Sequence, residues 1–347
     1  MTEKLKAALV IALLLFPLAI AFAQSDDEST VHCSTLSPED CEILVLNEAW
    51  GKQNTSVAFE MTANADISVT HAGMPSEETS VVMTGTGKLA TDLEAFEDWS
   101  NVDSDTSDEA LVEILERVLK AIAGDVSLRV RTTIDDETID MTLNMRMSDG
   151  VYLLDTASLE ELTGESMGGM DWLGFDVSGL VGALAAEEDF SSAIGLATVS
   201  NDTDMDAYTS IVRLADSEVD GVRVAVFEFD SDLAAAAEDF EMQDLMHMAG
   251  SDAPLDEASV ESMMSMLKSM RMSGLELIGL DDYRTYRMTF DFEMTFDGAT
   301  MGDPDIDSMS VLLSLAVDLR DHNLAVEVEI PEDAFVMPLA MLMQMGN

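Results

Sequence analysis

The chain has 347 residues, 47% of them hydrophobic, with 16 Lys+Arg against 69 Asp+Glu and a formal net charge of −53. Hydrophobic content of that size supports a real core and argues against disorder. So strong a negative charge repels nucleic acid and anionic membranes, which excludes either as a primary partner.

Lys4 and Lys6 precede an apolar run from Ala7 to Ala23, and Ala21-Phe22-Ala23 has the small-x-small pattern of a signal-peptidase site. The reading is a secretory signal peptide over residues 1–23, cleaved between Ala23 and Gln24. Pro17 and the length of the run, just short of the roughly 20 residues a crossing prefers, speak against a spanning helix. A retained N-terminal anchor is the alternative. No cysteine stands at the cleavage point for lipid attachment, and no later apolar run is long enough to span a bilayer. The expected location is secreted or periplasmic, with the acidic coat keeping a soluble monomer apart from its copies.

The two cysteines, Cys33 and Cys41, are close in sequence in an exported chain and are read as a disulfide. They lack the Cys-x-x-Cys spacing of redox sites. Pro38–Trp50 has helix character, with Ser37 as N-cap and Glu39 and Asp40 in the first turn. From Ser56 the period changes to two, and Val57, Phe59, Met61, Ala63, Ala65, Ile67 and Val69 mark a long half-buried strand. Val81–Leu89 is a second strand, in which Gly85-Thr86-Gly87-Lys88 resembles a P-loop fragment but is read as a turn or bulge. An amphipathic helix follows over Glu109–Ala123, with Gly124 as its stop. Val126–Thr132, Ile139–Met147 and Val151–Leu154 are then strands of a meander, with a tight turn at Ser148-Asp149-Gly150.

Thr156–Ser200 is less regular, with a short helix near Ser158–Leu162. Tyr208–Ala215 and Val222–Phe229 read as a hairpin with a turn at Asp220-Gly221. Two helices are predicted over Asp232–Met248 and Asp256–Met272. Strands at Leu275–Leu280, Tyr283–Phe296, Ser308–Arg320 and Leu324–Ile330 close the chain, the last pair joined at Asp321-His322-Asn323. Eleven strands in meander order with a few helices predict an α+β fold, a large curved antiparallel sheet packed on helices. The organisation is a signal peptide (1–23), a disulfide-stapled segment and helix (24–50), a half-barrel domain with helical insertions (51–337) and a tail (338–347).

Long antiparallel strands, an export signal and helices interrupting the sheet resemble the half-barrel carriers LolA and LolB and the mycobacterial LppX/LprG lipid-binding proteins. The resemblance covers roughly residues 50–335 and lies in architecture and strand order, without a diagnostic motif. It implies a sheet curled around helices with an apolar cavity for lipid. This chain is longer than those proteins and lacks the lipidated cysteine that several of them carry.

Methionine is abundant, 26 in all, and clusters at Met242, Met246, Met248, Met263, Met264, Met266, Met270 and Met272. Flexible thioethers suit an adaptable apolar cavity, although filling a core is the commonest use of such residues. A soft Cu(I) site at Met246-His247-Met248 is weakened by having four histidines spread far apart. The Asp202–Asp206 and Asp303–Asp307 triplets fail the calcium-loop pattern at positions six and twelve, so no metal or cofactor is assigned. No Gly-x-Ser-x-Gly, His-Glu-x-x-His or phosphate-binding glycine loop is present, and no carboxylate pair stands out for glycoside hydrolysis.

The sequence therefore predicts a non-enzymatic exported protein that holds a lipid or other apolar molecule between the sheet and the Met-rich helices. The predicted lining is Met141, Met145, Trp172, Met246, Met263, Met266 and Phe292. The competing reading is an acidic cell-envelope protein that binds cations or a protein partner, with no cavity.

Overall fold

The computed structural model describes residues 33, 35–71, 76–92, 94–95, 108–134, 137–163, 166, 168–177, 208–239, 260, 264–265, 267–297 and 306–338. Helix α1 (Pro38–Gly51) leads into β1 (Ser56–His71) and β2 (Glu77–Ala90). After α2 (Asp108–Ala121) come β3 (Ala123–Ile134), β4 (Glu137–Ser148) and β5 (Val151–Asp155), then α3 (Thr156–Thr163) and β6 (Trp172–Asp176). The second half holds β7 (Thr209–Arg213), β8 (Ser217–Val219), β9 (Val222–Ser231) and α4 (Leu233–Asp239). It ends with β10 (Arg271–Gly279), β11 (Thr285–Asp297), β12 (Ile306–Arg320) and β13 (Phe335–Pro338).

All thirteen strands join one sheet in the order β13-β6-β5-β4-β3-β2-β1-β12-β11-β10-β9-β7, with β8 also on β9. The two end strands do not pair, so the sheet is open, and with its few helices the fold is α+β as expected. Every pair is antiparallel except β13 with β6. The sheet is stitched in its middle by β1 and β12, which pair from Ala58↔Arg320 to Thr70↔Ser308 before a register shift at His71. N- and C-terminal halves are thereby locked into one body.

Local chemistry accounts for the hairpins. Asp149-Gly150 (φ 51° and 79°) and Asp220-Gly221 (φ 48° and 84°) both take positive φ in two-residue turns, which Asp and Gly tolerate best. Ser37 caps α1 by accepting the Asp40 N–H at 3.2 Å, with Pro38 in the first turn. Cys33 and Cys41 form the disulfide, with Cα atoms 5.5 Å apart.

Several expectations are corrected. Gly85 and Gly87 lie inside β2 in unbroken register with β1 and β3, without turn or bulge. The helix stops at Ala121, and Gly124 is already a residue of β3 opposite Leu89. A Cβ there would stand 2.6 Å from Leu89 Cδ2 and 2.7 Å from the Lys88 carbonyl, so it is close strand packing that requires the glycine. Arg271 and Met272, assigned to a helix, begin β10.

Residues 324–330 form no strand despite their alternation, because β12 already pairs with β1 on one side and β11 on the other. Instead Asn323 ties the chain back to β1: its Oδ1 accepts the Thr55 N–H at 2.8 Å, and its own N–H donates to the Ser56 carbonyl at 2.8 Å. Strands β6, β8 and β13 were not anticipated; each has five residues or fewer, too few to show a period.

Candidate functional site

Residues directly paired in a sheet point to the same side, so the register sorts the side chains into two faces. One face is apolar across nine strands. Its rows run Leu143–Leu128–Gly85–Met61–Val317–Met288–Glu276–Phe227–Arg213, then Met141–Val130–Met83–Ala63–Leu315–Phe290–Gly274–Phe229–Ile211. The next row is Ile139–Thr132–Val81–Ala65–Leu313–Phe292–Met272–Ser231–Thr209.

Burial is uneven along this face. At one end Phe59, Met61, Val126, Leu128, Val130, Val317 and Leu319 are buried with Val118 of α2 and Ile122 beyond its end. Tyr152 Oη secures that helix by donating to the Leu119 carbonyl at 2.8 Å. At the end of β9 and β10, Leu44 of α1 packs on Ala225, Phe227 and Ile278. Arg213 pairs with Asp40 at 3.2 Å and lies over the Phe227 ring, holding α1 to β7. At the far end of the long strands, Ile67, Val69, Met309, Val311, Leu313, Phe292 and Met294 are apolar but only half-buried.

The opposite face is polar apart from a small core of Val224, Val226 and Leu277 on β9 and β10. Arg129 and Arg131 clamp Asp140 between neighbouring strands, at 2.7 and 2.9 Å. The hydrogen bonds from Arg129 and then Arg131 hold the Asp140 carboxyl well below the usual carboxylate range. A cleft of about 450 Å³ spans β1, β12, β11, β10 and β9, lined chiefly by polar-face residues such as Asn64, Asp66, Arg271, Asp291 and Glu293. Its mixed lining, in which Asp and Glu outnumber Lys and Arg, differs from the apolar cavity anticipated.

The predicted lining residues fall in three groups. Met141, Met145 and Phe292 share the apolar face, although β4 and β11 stand five strands apart in the sheet. Met141 and Met145 pack against the buried core, and Phe292 also borders the polar cleft. Trp172 is not with them. It pairs with Asp155 on β5 and carries the Arg146 guanidinium 4.6 Å from its ring centre. Arg146 belongs to the polar face, opposite Asp125. Met246, Met263 and Met266 lie outside the described residues, as do the Met246-His247-Met248 motif, the Asp202–Asp206 triplet and the signal segment with Ala23 and Gln24. Of the Asp303–Asp307 triplet only Asp307 is described, in β12.

Glu276 was not singled out by the sequence. Leu275 and Leu277 flank it, and their alternation points Glu276 to solvent; the register instead places it between Phe227 and Met288 on the apolar face. Thr285 Oγ1 donates to its Oε1 at 2.8 Å, and burial pushes the carboxyl pKa up. A second buried polar group is His322, wedged edge-on between Trp50 (4.8 Å) and Tyr286 (5.9 Å) with no well-formed hydrogen bond to its ring nitrogens. Burial and then Arg284 lower its pKa. Among the described residues no group of three or more His, Cys, Asp or Glu side chains is placed to hold a metal ion. Nor is any helix among them long and apolar enough to cross a membrane.

No family model and no curated protein matches the sequence. Among solved structures, the chain is similar to the lipoprotein LppX of Mycobacterium tuberculosis (8% identity, 83% of this chain and 97% of that one, TM-score 0.28). It is also similar to LprF of Mycobacterium bovis (12% identity, 85% and 98%, TM-score 0.31) and a LolA superfamily protein of Nitrosomonas europaea (7% identity, 79% and 88%, TM-score 0.13). They include the LppX and LolA groups that the sequence resembled. At such identities and TM-scores they carry no argument.

Proposed function

We propose that this chain is an exported, non-enzymatic monomer that binds an apolar molecule on the apolar face of its sheet. The observation that supports the reading is the contrast along that face. One end is packed under α2, while Ile67, Val311, Leu313, Phe292 and Met294 stay half-buried in a chain with 69 Asp+Glu. Withdrawing an acyl chain from water onto such a surface is worth about 0.8 kcal/mol per methylene before the costs of association. Partition of this kind needs no catalytic group. The start of the sequence supports delivery outside the cytoplasm, and the Met-rich segments around Met246, Met263 and Met266 are proposed to complete the lining with Met141, Met145 and Phe292.

The test pairs native mass spectrometry of gently purified full chain with uptake of a neutral, environment-sensitive apolar dye. Bound mass or dye uptake is expected, and Phe292→Asp should weaken uptake by about tenfold, the equivalent of about 1.4 kcal/mol. Val82→Asp, on the polar face and already 37% exposed, should leave it unchanged. A chain that carries nothing and takes up no dye, or equal losses in the two folded variants, would overturn the reading.

A further inference from the structure

We propose that Glu276 is the polar anchor of the apolar face, and that it selects an apolar chain with a hydrogen-bond-donating head, hydroxyl or ammonium, over one with a carboxylate head. The inference rests on the apolar-ligand reading above and names the class of molecule it would admit.

Glu276 stands between Met288 and Phe227 in a row that continues to Val317 and Met61 on one side and to Arg213, paired with Asp40, on the other. Its neighbours along the same face of β10 are Ile278, fully buried against α1, and Gly274, over which the Phe229 ring lies. The carboxyl therefore stands where the packing under α1 gives way to the half-buried Phe229, Phe290 and Met272. One of its oxygens is committed. Asn47 Nδ2 donates to the Tyr283 carbonyl at 2.8 Å and to Thr285 Oγ1 at 2.9 Å. Thr285 thus has its hydrogen free to donate, and gives it to Glu276 Oε1 at 2.8 Å.

The other oxygen, Oε2, takes no hydrogen bond among the described residues, yet it is not one of the sealed, unpartnered atoms of the interior. The side chain is half-buried. An acceptor left without a partner on a mainly apolar face is completed by a donor carried on the ligand. An ammonium or hydroxyl supplies that donor, and its hydrogen bond would offset the desolvation that raises the Glu276 pKa. A carboxylate would place a second anion beside the first, inside a chain whose net charge of −53 already opposes it.

The experiment uses the full chain and three probes of equal acyl length, a monoacylglycerol, an alkylammonium and a fatty acid, each displacing the neutral dye. The wild-type chain is expected to bind the first two about tenfold or more tighter than the third. Glu276→Gln keeps an oxygen for Thr285 but turns the open position into a donor. It should weaken the alkylammonium about tenfold and strengthen the fatty acid, with the thermal midpoint recording that the variant is folded. If that variant does not fold, Glu276→Asp replaces it and should keep the wild-type order. Tightest binding of the fatty acid by wild type, or an unchanged order in folded Glu276→Gln, overturns the role of Glu276 and leaves the apolar-ligand reading standing. Failure of all three probes and of the dye would overturn both.

Discussion

Gly85→Ala offers a direct test of how the sealed end of the apolar face is built. Gly85 lies in mid-strand between Met61 and Leu128, which are 2% and 1% exposed. A Cβ at this position would stand 2.6 Å from Leu128 Cδ2 and 2.9 Å from Met61 Cγ, well inside contact distance. Alanine ordinarily stabilises such a position by about 0.4–1 kcal/mol, because the unfolded chain loses freedom. Forcing a methyl into a filled core costs about 1–3 kcal/mol. The overlap wins, and a net loss of about 1–2 kcal/mol is expected.

The obstacle at Gly85 is the end of a leucine, so Leu128→Ala should relieve it. Alone, Leu128→Ala costs about 2–5 kcal/mol through the cavity it leaves. Combined with Gly85→Ala, whose methyl fills part of that space, the loss should fall short of the sum by about 1–2 kcal/mol. Gly87→Ala should show no such rescue, since its nearest obstacle is the Asp125 carbonyl at 2.8 Å, which side-chain truncation cannot move. Urea unfolding of the four chains of the cycle, followed by circular dichroism, measures each quantity. A neutral or stabilising Gly85→Ala, or additivity within about 0.5 kcal/mol, would refute the packing described for this end.

Replacing Cys33 and Cys41 together by serine removes a short covalent loop with a sequence separation of 8; the loss of stability should be about 2.5 kcal/mol, read as a shift of the urea midpoint. The half-buried Glu276 and the buried His322 bend the pH profile of stability in opposite senses. Burial raises the Glu276 pKa above 4.5, so its contribution is complete below that value and is lost as pH rises through the raised one. Burial lowers the His322 pKa below 6.5, so its contribution is complete above that value and declines as pH falls from it. Urea midpoints from pH 4 to 8 should therefore lose part of their alkaline fall in Glu276→Gln and part of their acid fall in a His322→Gln variant. Profiles parallel to wild type in both would refute the burial assigned to these groups.

Much of this molecule could be read from its residues in order. Alternation from Val57 to Val69 marks β1 because a strand half-buried on one side must repeat every two residues, and Asp149-Gly150 and Asp220-Gly221 mark turns because few residues accept positive φ. The Cys33–Cys41 bridge and the Ser37 cap are likewise local, set by residues a few positions apart. The candidate site was legible only in part. Met141, Met145 and Phe292 were placed on one face of the sheet by alternation within their strands, which says nothing of what they line.

Trp172 and Glu276 were not, and the reason is the same for both. Which way a strand faces is decided by its partners. A short strand such as Trp172–Asp176 has too few residues to declare a face, and its pairing with β5 turns Trp172 toward Arg146. In β10, Leu275 and Leu277 are also apolar because a small second core of Val224, Val226 and Tyr286 meets them on the other side. Both sides of β10 are therefore partly buried, and alternation no longer separates inside from outside. Residues 324–330 alternate as well as many strands do, yet β12, the strand they follow, already has a partner on each side. Local pattern, then, determined the elements, the turns and the bridge. The tertiary pairing decided which partners each strand took, which face it presented, and that the carboxylate of Glu276 stands between Phe227 and Met288 on the inner face.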